Sequence, residues 1–162
     1  MSQQMASFAA GCFWGVEARF LQVAGVVDAV SGYIGGHVDN PTYKQVCGGD
    51  TGHAEAVQVT FDDEQVSYEH LLDVFFDMHN PTTLNRQGPD FGSQYRSAIF
   101  WYGEEQKAAA EQKIRELNAS GKWPNPVVTE LCPAPEFWRA EEYHQRYFEK
   151  NGAGFCGLAL IP

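Results

Sequence analysis

Apolar positions along the chain fall into two alternating periods. In Ala54 to Phe61 the repeat is two: Glu55, Val57, Val59 and Phe61 point one way, and Ala54, Ala56, Gln58 and Thr60 the other. This predicts a strand, as do Ser7–Ala10, the valine-rich Val26–Tyr33, Ser97–Tyr102 and Val127–Leu131. From Phe13 to about Ala24 the repeat becomes helical, with Phe13, Val16, Phe20, Val23 and Ala24 on one face and a stop near Gly25. Further helices are predicted at Ser67–His79, with Ser67 as N-cap, at Glu104–Asn118 and at Glu136–Lys150, before an apolar, glycine-containing tail. Strands that alternate with helices predict a sheet with helices packed on it, in the α/β or α+β class. The loops at 34–53 and 80–96 are long, polar and supplied with His, Asp and Tyr, which marks them as functional.

Composition narrows this picture. With 162 residues, 44% hydrophobic and 20% charged, the chain reads as one globular domain spanning 1–162. A net charge of −10 argues against a phosphate-backbone partner such as nucleic acid. No apolar run approaches the ~18 residues of a membrane span. The start, MSQQMASFAAGCF, lacks the basic and long apolar regions of a signal peptide, so a cytoplasmic protein with reduced thiols is expected. None of Cys12, Cys47, Cys132 and Cys156 forms a C-x-x-C pair, and no two histidines share a helix at i, i+3 or i, i+4. Neither a zinc site nor a thioredoxin-like motif is therefore expected.

Chemistry centres on GCFWG at 11–15. A strand ending near Ala10 and a helix starting at Phe13 place Cys12 at a helix N-terminus, where unpaired N–H groups and the dipole favour a thiolate. A buried core cysteine fits the same position. Trp14 falls at the edge of the apolar arc, where it can line a pocket. Glu17 falls in the middle of that arc and must be hydrogen-bonded, so a structural anchor is expected. Glu55 begins an apolar strand face, where burial favours the neutral carboxyl and suits a general acid. A strand-end side chain reaching solvent is the alternative. A Cys–His–acid hydrolase would need a histidine such as His53 or His144 beside Cys12, and neither is singled out.

Four segments, GCFWG (11–15), GHAEAVQV (52–59), RQGPDFGSQYRS (86–97) and AEEYHQ (140–145), resemble the A-type peptide methionine sulfoxide reductases. The resemblance runs from about Phe8 to Cys156, in the family's order and spacing. It implies a two-layer α+β domain with a ferredoxin-like, split βαβ core, a mixed sheet and long loops. It also implies reduction of the S epimer of methionine sulfoxide, free or in proteins, by a monomer needing neither metal nor organic cofactor. By this resemblance Cys12 is the nucleophile, and Phe13 and Trp14 hold the substrate's methyl group. Glu55 acts as the acid on the sulfoxide oxygen, Tyr43 and Tyr95 help hold that oxygen, and Asp90 orders the polar side. Cys156 resolves the Cys12 sulfenic acid as a disulfide, which thioredoxin recycles. No cysteine follows Cys156, so it is expected to be the only resolving thiol. Gly48 stands where the family usually has serine, while Cys47 and Cys132 match no recycling position and are expected to be buried and structural. A thiol peroxidase and a non-catalytic binder of oxidised methionine are the rival readings.

Overall fold

The computed structural model describes residues 3–88 and 90–151. In order come β1 (Gln3–Ala10), α1 (Phe13–Leu21), β2 (Val26–Ile34), the short α2 (Tyr43–Cys47), β3 (Ala54–Asp62) and α3 (Tyr68–Asp77). A small hairpin, β4 (Arg86–Gln87) and β5 (Asp90–Phe91), leads through a 3-10 turn at Ser93–Tyr95 to β6 (Ser97–Trp101) and α4 (Glu104–Ser120). β7 (Glu130–Pro133), β8 (Trp138–Arg139), a 3-10 turn at Glu142–His144 and α5 (Tyr147–Asn151) complete the order.

The main sheet runs β7-β6-β1-β3-β2-β8. β3 is antiparallel to both β1 and β2, and β1 is antiparallel to β6. The units β1-α1-β2 and β3-α3-β6 therefore interlock, each leaving room for one strand of the other. This is the split βαβ arrangement expected of a ferredoxin-like core. β7 adds in parallel to β6 through the α4 crossover, which makes the sheet mixed.

One face carries the helices. Phe8, Val57, Val59, Phe61 and Ile99 meet Phe13, Phe20, Leu71, Leu72 and Phe75 there, all buried. Phe8 lies between Phe20 and Phe75, with centroids 5.0 and 5.1 Å away. The opposite face is lined by Ala9, Ala54, Ala56 and Ala98 with Ile34 and Phe100, and Cys132, Ala134 and Phe137 pack on it. Small residues let that covering segment lie close; a Cβ at Gly32 would collide with the Phe137 ring and the Trp138 carbonyl.

Several boundaries differ from those expected. β1 begins at Gln3 because its polar first half pairs with β3, Gln3 facing Asp62. α1 stops at Leu21, and Gln22–Gly25 form a turn instead. β7 is displaced from the predicted 127–131: Val127 N–H donates to Asn118 and Val128 N–H to the Pro81 carbonyl, so pairing with β6 starts at Glu130. The predicted helix at 136–150 forms only at its end, as α5. Trp138 and Arg139 instead pair with Tyr33 and Gly32 on the free edge of β2. Gln145 donates to the Ser31 carbonyl and accepts from its N–H, and Arg146 has φ 55°, which together exclude a continuous helix. The loop at 34–53 contains α2, capped by reciprocal Thr42 and Gln45 bonds that the loop reading missed.

Candidate active site

Cys12 lies at the end of β1, where the chain turns into α1. Gly11 makes that turn with φ 92°, and Cys12 becomes the N-cap of α1, half-buried. A Cβ on Gly11 would stand 2.9 Å from the Cβ and Cγ of Gln87. Gln87 is itself pinned, accepting from the Asn80 N–H (3.0 Å) and donating to its carbonyl (2.8 Å). Glycine at 11 thus lets the 80–92 loop close over the start of α1. Cys12 therefore stands at the N-terminus of α1, the position expected from the sequence.

Glu55 projects from β3 toward this helix end. It is 1% exposed, and its Oε1 accepts the Phe13 N–H at 3.2 Å. The strand-end alternative is thereby excluded. Tyr43 opens α2, and Tyr95 closes the 3-10 turn that precedes β6. Gln94 joins these two pieces by donating to the Cys47 carbonyl at 3.4 Å. Both phenols share hydrogen bonds with the Cys47 thiol, and both feel the charge of Glu55. Tyr95 also feels Cys47, Asp90 and Cys12. Burial, reinforced by these negative neighbours, pushes both phenols above their ordinary value and keeps them as O–H donors. The half-buried Asp90 carboxyl is likewise pushed up by burial. Phe13 is fully buried and stacks with Tyr43 at 6.2 Å, while half-buried Trp14 stacks with it at 6.5 Å. Cys12, Phe13, Trp14, Tyr43, Glu55, Asp90 and Tyr95 therefore converge, whereas Cys156 lies outside the described residues.

Two expectations for cysteines need correction. Cys47 is exposed as a residue, because α2 rides on the surface, although its thiol turns in toward the phenols. Cys132 is half-buried on β7, its thiol donating to Glu130 at 3.4 Å. Neither is a core cysteine. Among the described residues, no group of three or more His, Cys, Asp or Glu side chains could hold a metal ion. Nor is any helix long and apolar enough to cross a membrane.

The segment 138–147 supplies contributors that sequence reasoning left without roles. Glu141 accepts the Tyr33 hydroxyl and the Tyr43 N–H, both at 2.9 Å, so one carboxylate ties α2 to β2. Burial opposes its ionisation, but these hydrogen bonds hold its carboxyl below the ordinary value. His144 meets Phe13, Trp14 and Tyr43, and Tyr147 stacks on Trp14 at 3.8 Å. The signal for Glu141 and His144 was their place in AEEYHQ (140–145), and Tyr147 lies just beyond it; their contacts with α1 and α2 are non-local. His53 is committed elsewhere: its Nδ1 accepts the Gly36 N–H and its Nε2 donates to the Val38 carbonyl. It therefore has no free nitrogen to serve as a base.

Known proteins match over nearly the whole chain. Residues 4–162 fit the family model for peptide methionine sulfoxide reductase. The peptide methionine sulfoxide reductase MsrA of Methanosarcina acetivorans is 61% identical over 149 residues, covering 92% of this chain and 79% of that protein. The crystal structure of reduced Mxr1 from Saccharomyces cerevisiae superposes with a TM-score of 0.90 at 38% identity, covering 96% of this chain and 90% of that one. Mxr1 in complex with Trx2 matches at a TM-score of 0.64 and 26% identity, with coverages of 90% and 84%. Fold, site motifs and whole-length similarity agree, and the chain belongs to the peptide methionine sulfoxide reductase family.

Proposed function

We propose that this chain reduces the S epimer of methionine sulfoxide, free and in proteins, as a repair enzyme working as a cytoplasmic monomer. The observation that carries the reading is the N-terminus of α1. Cys12 caps that helix, the next N–H is held by the buried Glu55, and two phenols close the polar side.

A sulfoxide sulfur becomes electrophilic when its oxygen is protonated or strongly hydrogen-bonded. Phe13 and Trp14 seat the methyl group, and Tyr43 and Tyr95 donate to the oxygen while Asp90 orders that side of the site. Glu55, buried beside the Cys12 turn, supplies the proton to the sulfoxide oxygen. The Cys12 thiolate attacks sulfur and forms an S–S bond as the S–O bond breaks and the doubly protonated oxygen leaves as water. Water then attacks the Cys12 sulfur, the S–S bond breaks with its electron pair going to the substrate sulfur, a proton is released, and methionine and a Cys12 sulfenic acid result. The Cys156 thiol then displaces water from that acid and forms a Cys12–Cys156 disulfide. A dithiol protein of thioredoxin type returns both thiols by exchange, itself becoming the disulfide. The solved complex of the yeast relative with Trx2 supports such a reductant. All electrons come from thiols, so the cycle calls for no metal or organic cofactor.

The test offers separate sulfoxide epimers, and hydrogen peroxide as a control, followed by mass mapping of disulfides. Reduction of the S epimer with a Cys12–Cys156 bridge is the expected result. Cys12→Ser should abolish reduction, and Cys156→Ser should give about one turnover without added thiol. Repeated thiol-free turnovers by Cys156→Ser, or faster reaction with peroxide than with sulfoxide, would overturn it.

A further inference from the structure

The β4–β5 hairpin has two faces, set by its register. Gln87 pairs with Asp90 and Arg86 with Phe91, and the side chains of each pair share a face. Arg86 and Phe91 are exposed, the guanidinium carbon 4.6 Å from the ring centroid. Gln87 and Asp90 take the other face. Gln87 is 4% exposed, with its Cβ and Cγ against Gly11. Asp90 is half-buried, and Tyr95 feels its charge.

The Gln87 amide bonds as a strand neighbour would. Its Oε1 accepts the Asn80 N–H at 3.0 Å, and its Nε2 donates to the Asn80 carbonyl at 2.8 Å. Asn80 offers a fixed reference, because it follows a braced residue. The His79 ring donates to the Phe75 carbonyl at 2.6 Å and accepts the Ser97 hydroxyl at 2.7 Å. Ser97 in turn lies opposite Ala10, two residues before Cys12. One side chain thus gauges the hairpin against the end of α3 and against the turn that carries Cys12. A neutral amide supplies a donor and an acceptor together, which neither a carboxylate nor an ammonium does. An apolar side chain of the same length would fill the space but leave both Asn80 groups without this partner.

We propose that Gln87 is a positioning residue: by bonding both backbone groups of Asn80 while resting on Gly11, it sets where Asp90 stands relative to Cys12, and so how fast the Cys12 thiolate displaces the sulfoxide oxygen. The proposal rests on the reading of Asp90 as the group that orders the polar side of the site. Gln87 acts through Asp90, not on the substrate.

The experiment follows the first half-reaction in single turnover with a methyl sulfoxide, in the full-length reduced protein. Gln87→Met and Asp90→Asn are combined in a double-mutant cycle. Methionine keeps the stem that rests on Gly11 and loses both hydrogen bonds. Gln87→Met should lower the limiting rate about tenfold and leave the half-saturating sulfoxide concentration within about twofold, because the methyl pocket is untouched. Asp90→Asn should lower the limiting rate at least as much. The double variant should be within about twofold of Asp90→Asn alone, since a misplaced Asp90 has already lost its effect. If Gln87→Met does not fold, Gln87→Asn, whose amide falls one methylene short of Asn80, enters the same cycle with the same expectation.

Losses that multiply in the double variant point to a merely structural role and overturn the proposal. So does a limiting rate unchanged in Gln87→Met where Asp90→Asn is slow, or a rise in half-saturation with the limiting rate spared. A parental limiting rate in Asp90→Asn overturns the reading of Asp90, and the proposal with it.

Discussion

Glu17→Gln tests how the segment that frames the site is attached. Glu17 lies on the buried face of α1, 1% exposed, accepting the Ser31 hydroxyl at 3.2 Å and the Arg146 backbone N–H. It thereby fastens the start of α1 to β2 and to the chain that carries His144 and Tyr147. Burial raises its pKa from 4.5 to about 7, the hydrogen bonds only partly opposing. Below about pH 4.5 the carboxyl is neutral whether folded or unfolded, and it adds no penalty. Above about pH 7 it is ionised in both states, and the folded protein carries the cost of a buried anion. At ~1.4 kcal/mol for each tenfold change in proton affinity, that cost is about 3 kcal/mol. In the glutamine variant Oε1 can still accept from Arg146, and the Ser31 hydroxyl can turn to accept from Nε2. The stability of Glu17→Gln relative to the parent should therefore climb by about 3 kcal/mol between pH 4.5 and 7 and then level. Urea unfolding of the reduced proteins across that range measures it, as a midpoint gap widening by about 1 M or more. A gap that stays constant with pH, or a variant less stable at alkaline pH, would refute the reasoning.

His79 should show the opposite limb. Its Nδ1 donates to the Phe75 carbonyl (2.6 Å), its Nε2 accepts the Ser97 hydroxyl (2.7 Å), and burial lowers its pKa from 6.5 to about 4. The folded protein resists its protonation, so stability is full above pH 6.5 and falls by about 3 kcal/mol as pH drops to about 4. In the same titration, His79→Gln should flatten the acid limb relative to the parent, and an unchanged limb would be evidence against the assignment. Glu141→Gln tests the tie between α2 and β2: one of the two bonds at 2.9 Å is lost, because an amide nitrogen cannot accept. Displacing Tyr43 should slow the limiting rate of the first half-reaction about tenfold. A loss of thermal stability with no change in rate would show that Glu141 serves the fold alone.

Local pattern was enough to determine the central part of this protein. Period two placed Glu55 on the apolar face of β3, and helical period placed Glu17 among α1's buried side chains. A strand running into a helix at Gly11 left Cys12 at the N-cap of α1. These conclusions hold because they depend on neighbours a few residues away, whose geometry the backbone repeats. The motif resemblance added residue roles, and the structure brings the described ones together.

Tertiary contacts decided the rest. Residues 136–150 have a helical composition, yet β2 ends the ferredoxin-like core with an unpaired edge. Trp138, Arg139 and the Gln145 side chain satisfy that edge better than a solvent-exposed helix would. α2, with five residues, has too few internal hydrogen bonds to announce itself and is held from afar by Glu141. Tyr43 reaches Cys47 by i, i+4 spacing within α2, whereas Tyr95 meets it because the 3-10 turn, joined through Gln94, lies against the end of α2. A two-residue strand, a one-turn helix and a side-chain bridge carry almost no local periodicity. Their energy comes from partners as far as 114 residues away, as between Ser31 and Gln145, and so they exist only once the sheet has formed.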